Sequence, residues 1–277
     1  MLKSISETID GYIEGAVAKT KNPLWKFILL GIMAGFFIGA GAAISNVAMH
    51  SIPSVGVARL VAGCTFPIGL MMIVFLGGEL FTGDCMIAMA CLRGKVKVTK
   101  MIGILILVWT TNLAGGLLMA LLIAHSGQLA YSNNLLGAFT IKLAVGKAGI
   151  DFGTGVCSGI LCNIFVCAAV LMAAMAKDMA GKIMAIFFPI MSFVIGGFEH
   201  CVANMYYIPA GIFAAGNVTY AEVAAKEYGI TKDQLASLNW GTFFVNNELP
   251  VTIGNIIGGM VCISLVLVLL NRKQKEA

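Results

Sequence analysis

The chain has 277 residues, of which 59% are hydrophobic and 11% charged, with a formal net charge of +5; its mean hydropathy is +0.94. Soluble domains carry roughly 25% charged residues, so a soluble globular fold is excluded. The charges are clumped and leave uncharged stretches at 27–58, 60–78, 101–141, 152–176 and 249–271. Each is long enough to cross a hydrocarbon core of about 30 Å, which specifies an all-α, multi-pass membrane protein.

Residues 1–25 hold Leu2, Ile5, Ile9, Ile13, Ala16 and Val17 at helical spacing, with Ser4 and Glu7 placed for a capping box. They predict an amphipathic helix, either lying on the membrane surface or packed on the body of the protein. No basic start leads into an apolar core, so no cleavable signal peptide is expected. Residues 26–271 form the expected six-helix transmembrane domain, and 272–277 a basic cytoplasmic tail. Segment one, 26–49, carries Gly31, Gly35 and Gly39 four apart, a spacing that lets membrane helices approach closely. Segments three (101–125), four (152–176) and six (249–270) read as regular crossings.

Segments two and five do not. Residues 60–92 would make a helix about 50 Å long, which overshoots the bilayer core, and Phe81-Thr82-Gly83-Asp84 offers a break. Segment five, 183–213, is also overlong, holds Glu199-His200 at its centre, and has Pro209 to discourage a continuous helix further on. The two segments echo each other: Leu76-Gly77-Gly78-Glu79 matches Ile195-Gly196-Gly197-Phe198-Glu199. Asn112-Leu113-Ala114-Gly115-Gly116 likewise matches Asn255-Ile256-Ile257-Gly258-Gly259. Three crossings per unit, an odd number, predict two inverted three-helix repeats with helices two and five broken near mid-membrane. Paired interruptions of this kind mark a transport site.

Six crossings that start inside place thirteen of the eighteen cations in inner segments and five in outer ones, so both termini are expected in the cytoplasm. The eight cysteines include no C-x-x-C pair, which points to packing rather than a metal or redox site. Ionisable side chains at membrane depth are costly, so Glu79, Glu199 and His200 are the candidate functional residues. Glu79 and Glu199, with Asn204 nearby, are expected to serve the breaks themselves, the carboxylates accepting hydrogen bonds from freed backbone N–H groups. Lys147 on pattern alone reads as a headgroup anchor, and Asp84 as a cap for the second half of segment two.

The strings Phe75-Leu-Gly-Gly-Glu-Leu-Phe-Thr-Gly83, Gly196-Gly-Phe-Glu-His-Cys-Val-Ala-Asn-Met205 and Pro250-Val-Thr-Ile-Gly-Asn-Ile-Ile-Gly-Gly259 resemble the formate/nitrite transporter family over nearly the whole chain. The resemblance implies an aquaporin-like six-helix protomer in a homopentamer of the inner membrane, with one pore per protomer for formate, nitrite or hydrosulfide. It implies that Thr82 and His200 face one another in a central chamber. Phe66, Leu70 and Phe193 are implied as apolar constrictions, Leu80 and Phe81 as loop residues beside the chamber, Lys147 as the source of a positive field, and Asn255 as a neighbour of the histidine. No cofactor, metal or nucleic acid is implied, and no enzymatic activity. A dehydrated anion in a narrow pore needs donors and a cation, and Thr82, Asn255, His200 and Lys147 are the residues expected to supply them. His200 is expected either to donate a hydrogen bond or to lend a proton to a weak-acid anion. Two alternatives fit less well. A water or small neutral solute channel lacks its paired Asn-Pro-Ala motifs, and a haem-binding reductase subunit has three histidines to draw on, one of them central.

Overall fold

The computed structural model describes residues 2–271, so the 272–277 tail, with Arg272, Lys273 and Lys275, lies outside the described residues. Among these residues every regular element is helical. Helix α1 (Ile5–Lys19) begins with the full Ser4/Glu7 capping box and buries Ile9, Ile13 and Ala16 against the body of the protein. Helix α2 (Leu24–Met49) is the first crossing. The second is built from α3 (Val55–Thr65) and α4 (Ile68–Leu76), then, after an interruption, from α5 (Phe81–Asp84), a 3-10 turn and α6 (Ala88–Leu92). Helix α7 (Val98–His125) is the third, α8 (Leu135–Ala148) lies outside the expected crossings, and α9 (Phe152–Met175) is the fourth. The fifth comprises α10 (Met179–Gly196) and α11 (Cys201–Ala215). Short helices α12 (Val218–Tyr228) and α13 (Lys232–Ser237) follow. Helices α14 (Trp240–Thr242), α15 (Leu249–Ile257) and α16 (Val266–Leu270) belong to the last crossing. Among the described residues, six stretches are long and apolar enough to span a membrane.

The first interruption lies at residues 77–80, not at Phe81-Thr82-Gly83-Asp84, which is helical. Gly77 ends α4 with φ of 94°, a left-handed conformation open to glycine, and the Glu79 N–H donates to the Leu30 carbonyl of α2. Gly197, at φ 70°, opens the second interruption in the same way, and the Glu199 N–H donates to Ser158 Oγ of α9 at 3.0 Å. Pro209 does not stop α11; the Met205 carbonyl that proline leaves without a helical partner lies against Gly116 of α7. The last crossing is longer and less regular than expected. It starts at Trp240 and widens into π-helix at Phe243–Glu248 and Gly258–Leu265. The first widening ends just ahead of Pro250, which cannot continue the ordinary ladder.

Each half closes around its interruption with the same contacts. Asn112 of α7 accepts from the Phe81 N–H at 2.9 Å and donates to the carbonyls of Gly31 and Glu79 at 2.9 and 2.8 Å. Asn255 of α15 accepts from the Cys201 N–H at 3.0 Å and donates to the carbonyls of Gly159 and Glu199 at 2.8 and 3.1 Å. One turn along, Gly115 presses on the Ile32 carbonyl and Gly258 on the Ile160 carbonyl, where an added Cβ would come within 2.0 and 2.5 Å. The internal repeat read from the two Asn-x-x-Gly-Gly strings is thus a repeat of contacts. Outward-facing Leu29, Ile106 and Val245 remain exposed, as suits helices whose outer faces meet lipid or a partner subunit.

Replacing Asn112 by Leu strands the Phe81 N–H and the Glu79 carbonyl, at a cost of about 1–3 kcal/mol for each buried group left unpaired. Thermal unfolding of the detergent-solubilised protein should show a clear drop in Tm for Asn112→Leu, and none for Thr110→Ala on the exposed face of the same helix.

Candidate functional site

The two interruptions place Thr82, in the first turn of α5, opposite His200, the N-cap of α11. Thr82 Oγ1 and His200 Nε2 are 3.0 Å apart and both residues are buried. His200 Nδ1 accepts the Ala203 backbone N–H at 3.0 Å. An accepting Nδ1 puts the ring proton on Nε2, so Nε2–H donates to the threonine oxygen and leaves the threonine hydrogen free for another acceptor. The Thr82 carbonyl accepts from Asn163 Nδ2 at 3.2 Å, and Asn163 also donates to the Asn255 carbonyl. Asn163, a lone amide in the apolar run of segment four, was not singled out from the sequence.

The Phe193 ring stacks on the imidazole with centroids 6.0 Å apart, and Phe66 meets Phe193 edge-on at 5.5 Å. Leu70, Leu80 and Phe81 are buried, and the backbone of Phe81 is held by Asn112. Beyond the phenylalanines opens a vestibule of about 490 Å³ whose lining includes His200, Glu199, Arg59, Lys142 and Lys147. Arg59 and Lys142 have no ion-pair partner among the described residues. The Arg59 guanidinium rests over Gly197, where any Cβ would collide with it.

Lys147 points inward from α8 rather than anchoring at a headgroup. Its Nζ sits 2.9 and 3.0 Å from the two Glu199 carboxylate oxygens and 5.1 Å from the Tyr207 ring centroid. Asn204 Nδ2 donates to Glu199 Oε2 and to Asn247 Oδ1, each at 2.7 Å, and Asn247 Nδ2 donates to the Lys147 carbonyl at 2.8 Å. Contrary to the expectation from the sequence, the glutamate carboxylates do not accept the freed backbone N–H groups. They form ion pairs, and the asparagines take the backbone. Asn255 likewise has both amide hydrogens committed to carbonyls, which removes it from the donors open to an anion.

Glu79 has a matching partner. Lys19, in the last turn of α1, pairs with Glu79 and with Asp84 at 2.5 Å each, so Asp84 is a counter-ion and not a helix cap. Burial pulls the Lys19 ammonium down, but Asp84, and with it Glu79, raises it above its ordinary value overall. Twelve residues separate Lys19 from Gly31 and Lys147 from Gly159 alike. Helices α1 and α8 thus occupy corresponding places in the two halves, each ending in a lysine that reaches the glutamate of its own break.

The chain matches the family described as "Formate/nitrite transporter" over residues 6–269. It is 34% identical over 280 residues to a probable formate transporter of Methanothermobacter thermautotrophicus, covering 95% of this chain and 94% of that one. It is 37% identical to the formate channel FocA of Haemophilus influenzae, covering 85% and 84%. Among solved structures it resembles a pentameric formate channel with formate bound, with a TM-score of 0.79 at 31% identity, covering 90% of this chain and 98% of that one.

The Ala203 cap fixes the tautomer of His200. Solid-state ¹⁵N NMR of histidine-labelled protein in lipid, with His200→Asn to assign the signal, should show a protonated Nε2 and an unprotonated Nδ1 at neutral pH. The opposite tautomer would break the α11 cap and contradict the geometry.

Proposed function

Since this chain belongs to the formate/nitrite transporter family, we propose that it is a membrane channel for small monovalent anions of weak acids, formate foremost. Nitrite and hydrosulfide share that charge and small size. The observation that carries this reading is the Thr82–His200 pair at the foot of a vestibule lined by Arg59, Lys142 and Lys147. An anion is drawn in by the unpaired charges of Arg59 and Lys142, sheds water at the Phe66–Phe193 slit, and meets the Thr82 hydroxyl, whose hydrogen is free because the His200 Nε2–H donates to its oxygen. Leu70 on the outer side, with Leu80 and Phe81 on the inner, completes the apolar wall. Of the two roles open to His200, its use of Nδ1 as a helix cap favours hydrogen-bond donation. A second ring proton for transfer would have to displace that cap.

One pore lies within each protomer, and the exposed apolar faces suit assembly of five protomers in the inner membrane with both termini in the cytoplasm. The pentameric formate channel that this chain resembles supports that assembly.

The test is uptake into proteoliposomes of formate, nitrite, hydrosulfide and chloride across a range of pH. Formate should enter well ahead of chloride. Thr82→Val, which keeps the shape and removes the hydroxyl, and His200→Asn should each lower formate uptake roughly tenfold or more, the worth of one hydrogen bond to a charged group. Uptake unchanged in both variants would remove the pair from the conduction path.

A further inference from the structure

Glu248 has no role in the site described above, yet it is 1% exposed and both of its carboxyl oxygens lack a hydrogen-bond partner. It ends the π-helical turn Phe243–Glu248, and the turn packs against α8, α9 and α11. Glu248, Val251 and Asn255 share the buried face of the last crossing, and Asn255 on that face holds the Glu199 carbonyl and the Cys201 N–H. Seven residues of helix set Glu248 roughly 10 Å further out than Asn255, directly after Asn247, which bridges Lys147 and Asn204. The charged and titratable groups facing it are Lys147 from α8, Glu199 from the second interruption and Cys201 from α11. Helix α9 adds thiols and no charge, and α15 adds neither.

Comparison of the two halves shows what this carboxyl supplies. At the first interruption one lysine, Lys19, serves two carboxylates, Glu79 and Asp84. At the second, the residue five places after the break glutamate is Asn204 rather than an acid, and Lys147 pairs with Glu199 alone. Glu248 restores the second acid from a different helix. A carboxylate with no donor to either oxygen is far costlier in such surroundings than a carboxylic acid.

We propose that Glu248 is a proton-binding residue of the Lys147–Glu199 cluster, and that its ionisation on the alkaline side turns the cluster from neutral to singly negative and weakens anion entry from the vestibule. The effect on entry rests on the channel reading above, whereas proton binding does not. Glu248 acts through the field at Lys147 and touches no anion, so it is a positioning residue. Replacing it by glutamine holds the cluster in its neutral state at every pH.

Two measurements on the same proteoliposomes test this. Infrared difference spectra taken between about pH 5 and pH 9 should contain a protonated-carboxyl band that titrates in the wild type and is missing from Glu248→Gln. Formate uptake should fall toward alkaline pH in the wild type and stay level in Glu248→Gln, leaving the variant roughly tenfold faster at the alkaline end and equal at the acid end. Glu248→Met, which fills the same space without a carboxyl, gives the same two readouts should the glutamine variant fail to elute as the wild-type oligomer. A band that survives both substitutions, or is absent from the wild type, overturns proton binding at Glu248. An uptake profile of unchanged shape overturns its control of entry. A wild type that carries no anion defeats the channel reading instead, and the infrared result still decides whether Glu248 binds a proton.

Discussion

A backbone that leaves helical geometry inside a membrane must find partners for every freed amide and carbonyl within the protein, since lipid supplies none. That constraint governs this fold. Two interruptions expose peptide groups at mid-crossing, and in each half one asparagine with three hydrogen bonds reclaims them while tying the break to a neighbouring helix. With the breaks held, the first residues of α5 and α11 become fixed points at the centre of the molecule. Thr82 and His200 meet because Asn112 and Asn255 have already positioned their neighbours Phe81 and Cys201.

Electrostatics follows the same division of labour. The break glutamates are neutralised by lysines from helices that begin each half, and both pairs are largely enclosed. Enclosed pairs of this kind contribute little net stability, but removing one partner leaves a costly buried charge. Their value here lies in registration, since Lys19 fixes α1 beneath the first break and Lys147 fixes α8 beside the second. Positive charge left over at Arg59 and Lys142 lies in the same vestibule as the neutralised Lys147–Glu199 pair.

Much of this was legible in the sequence because membrane proteins write their constraints in polar residues. Uncharged runs separated the crossings, and an Asn followed by paired glycines recurred where the third helix of each half meets the first. Thr82 and His200 emerged from the strings that carry the family resemblance. Other features left weaker traces. The first break was expected at Phe81–Asp84 because those residues are the less apolar ones, whereas the chain turns at Gly77, where conformation rather than polarity decides. Helix α8 escaped notice since hydropathy finds crossings and passes over shorter helices that carry lysines. Pro209 was expected to interrupt α11, but the carbonyl it frees lies against a glycine. The partnership of Lys19 with Glu79 and Asp84 spans about 60 residues of chain and has no local signature. Glu248, one acid beside Pro250, looked like the edge of a segment until burial placed it inside.

The lysine pairs and asparagine clamps share a further property: each closes among helices of its own half. Between the halves runs a connection at 126–134 in which Ser132, Asn133 and Asn134 all adopt left-handed backbone conformations, and neither the Asn112 nor the Asn255 bonds reach across it. Severing that link would leave both units with their internal wiring complete. The seam at which they would have to find each other again includes the Thr82–His200 pair, the Phe66–Phe193 contact and the Asn163 bond to the Thr82 carbonyl, so the candidate site is also a surface by which two separately made fragments would recognise one another in a bilayer.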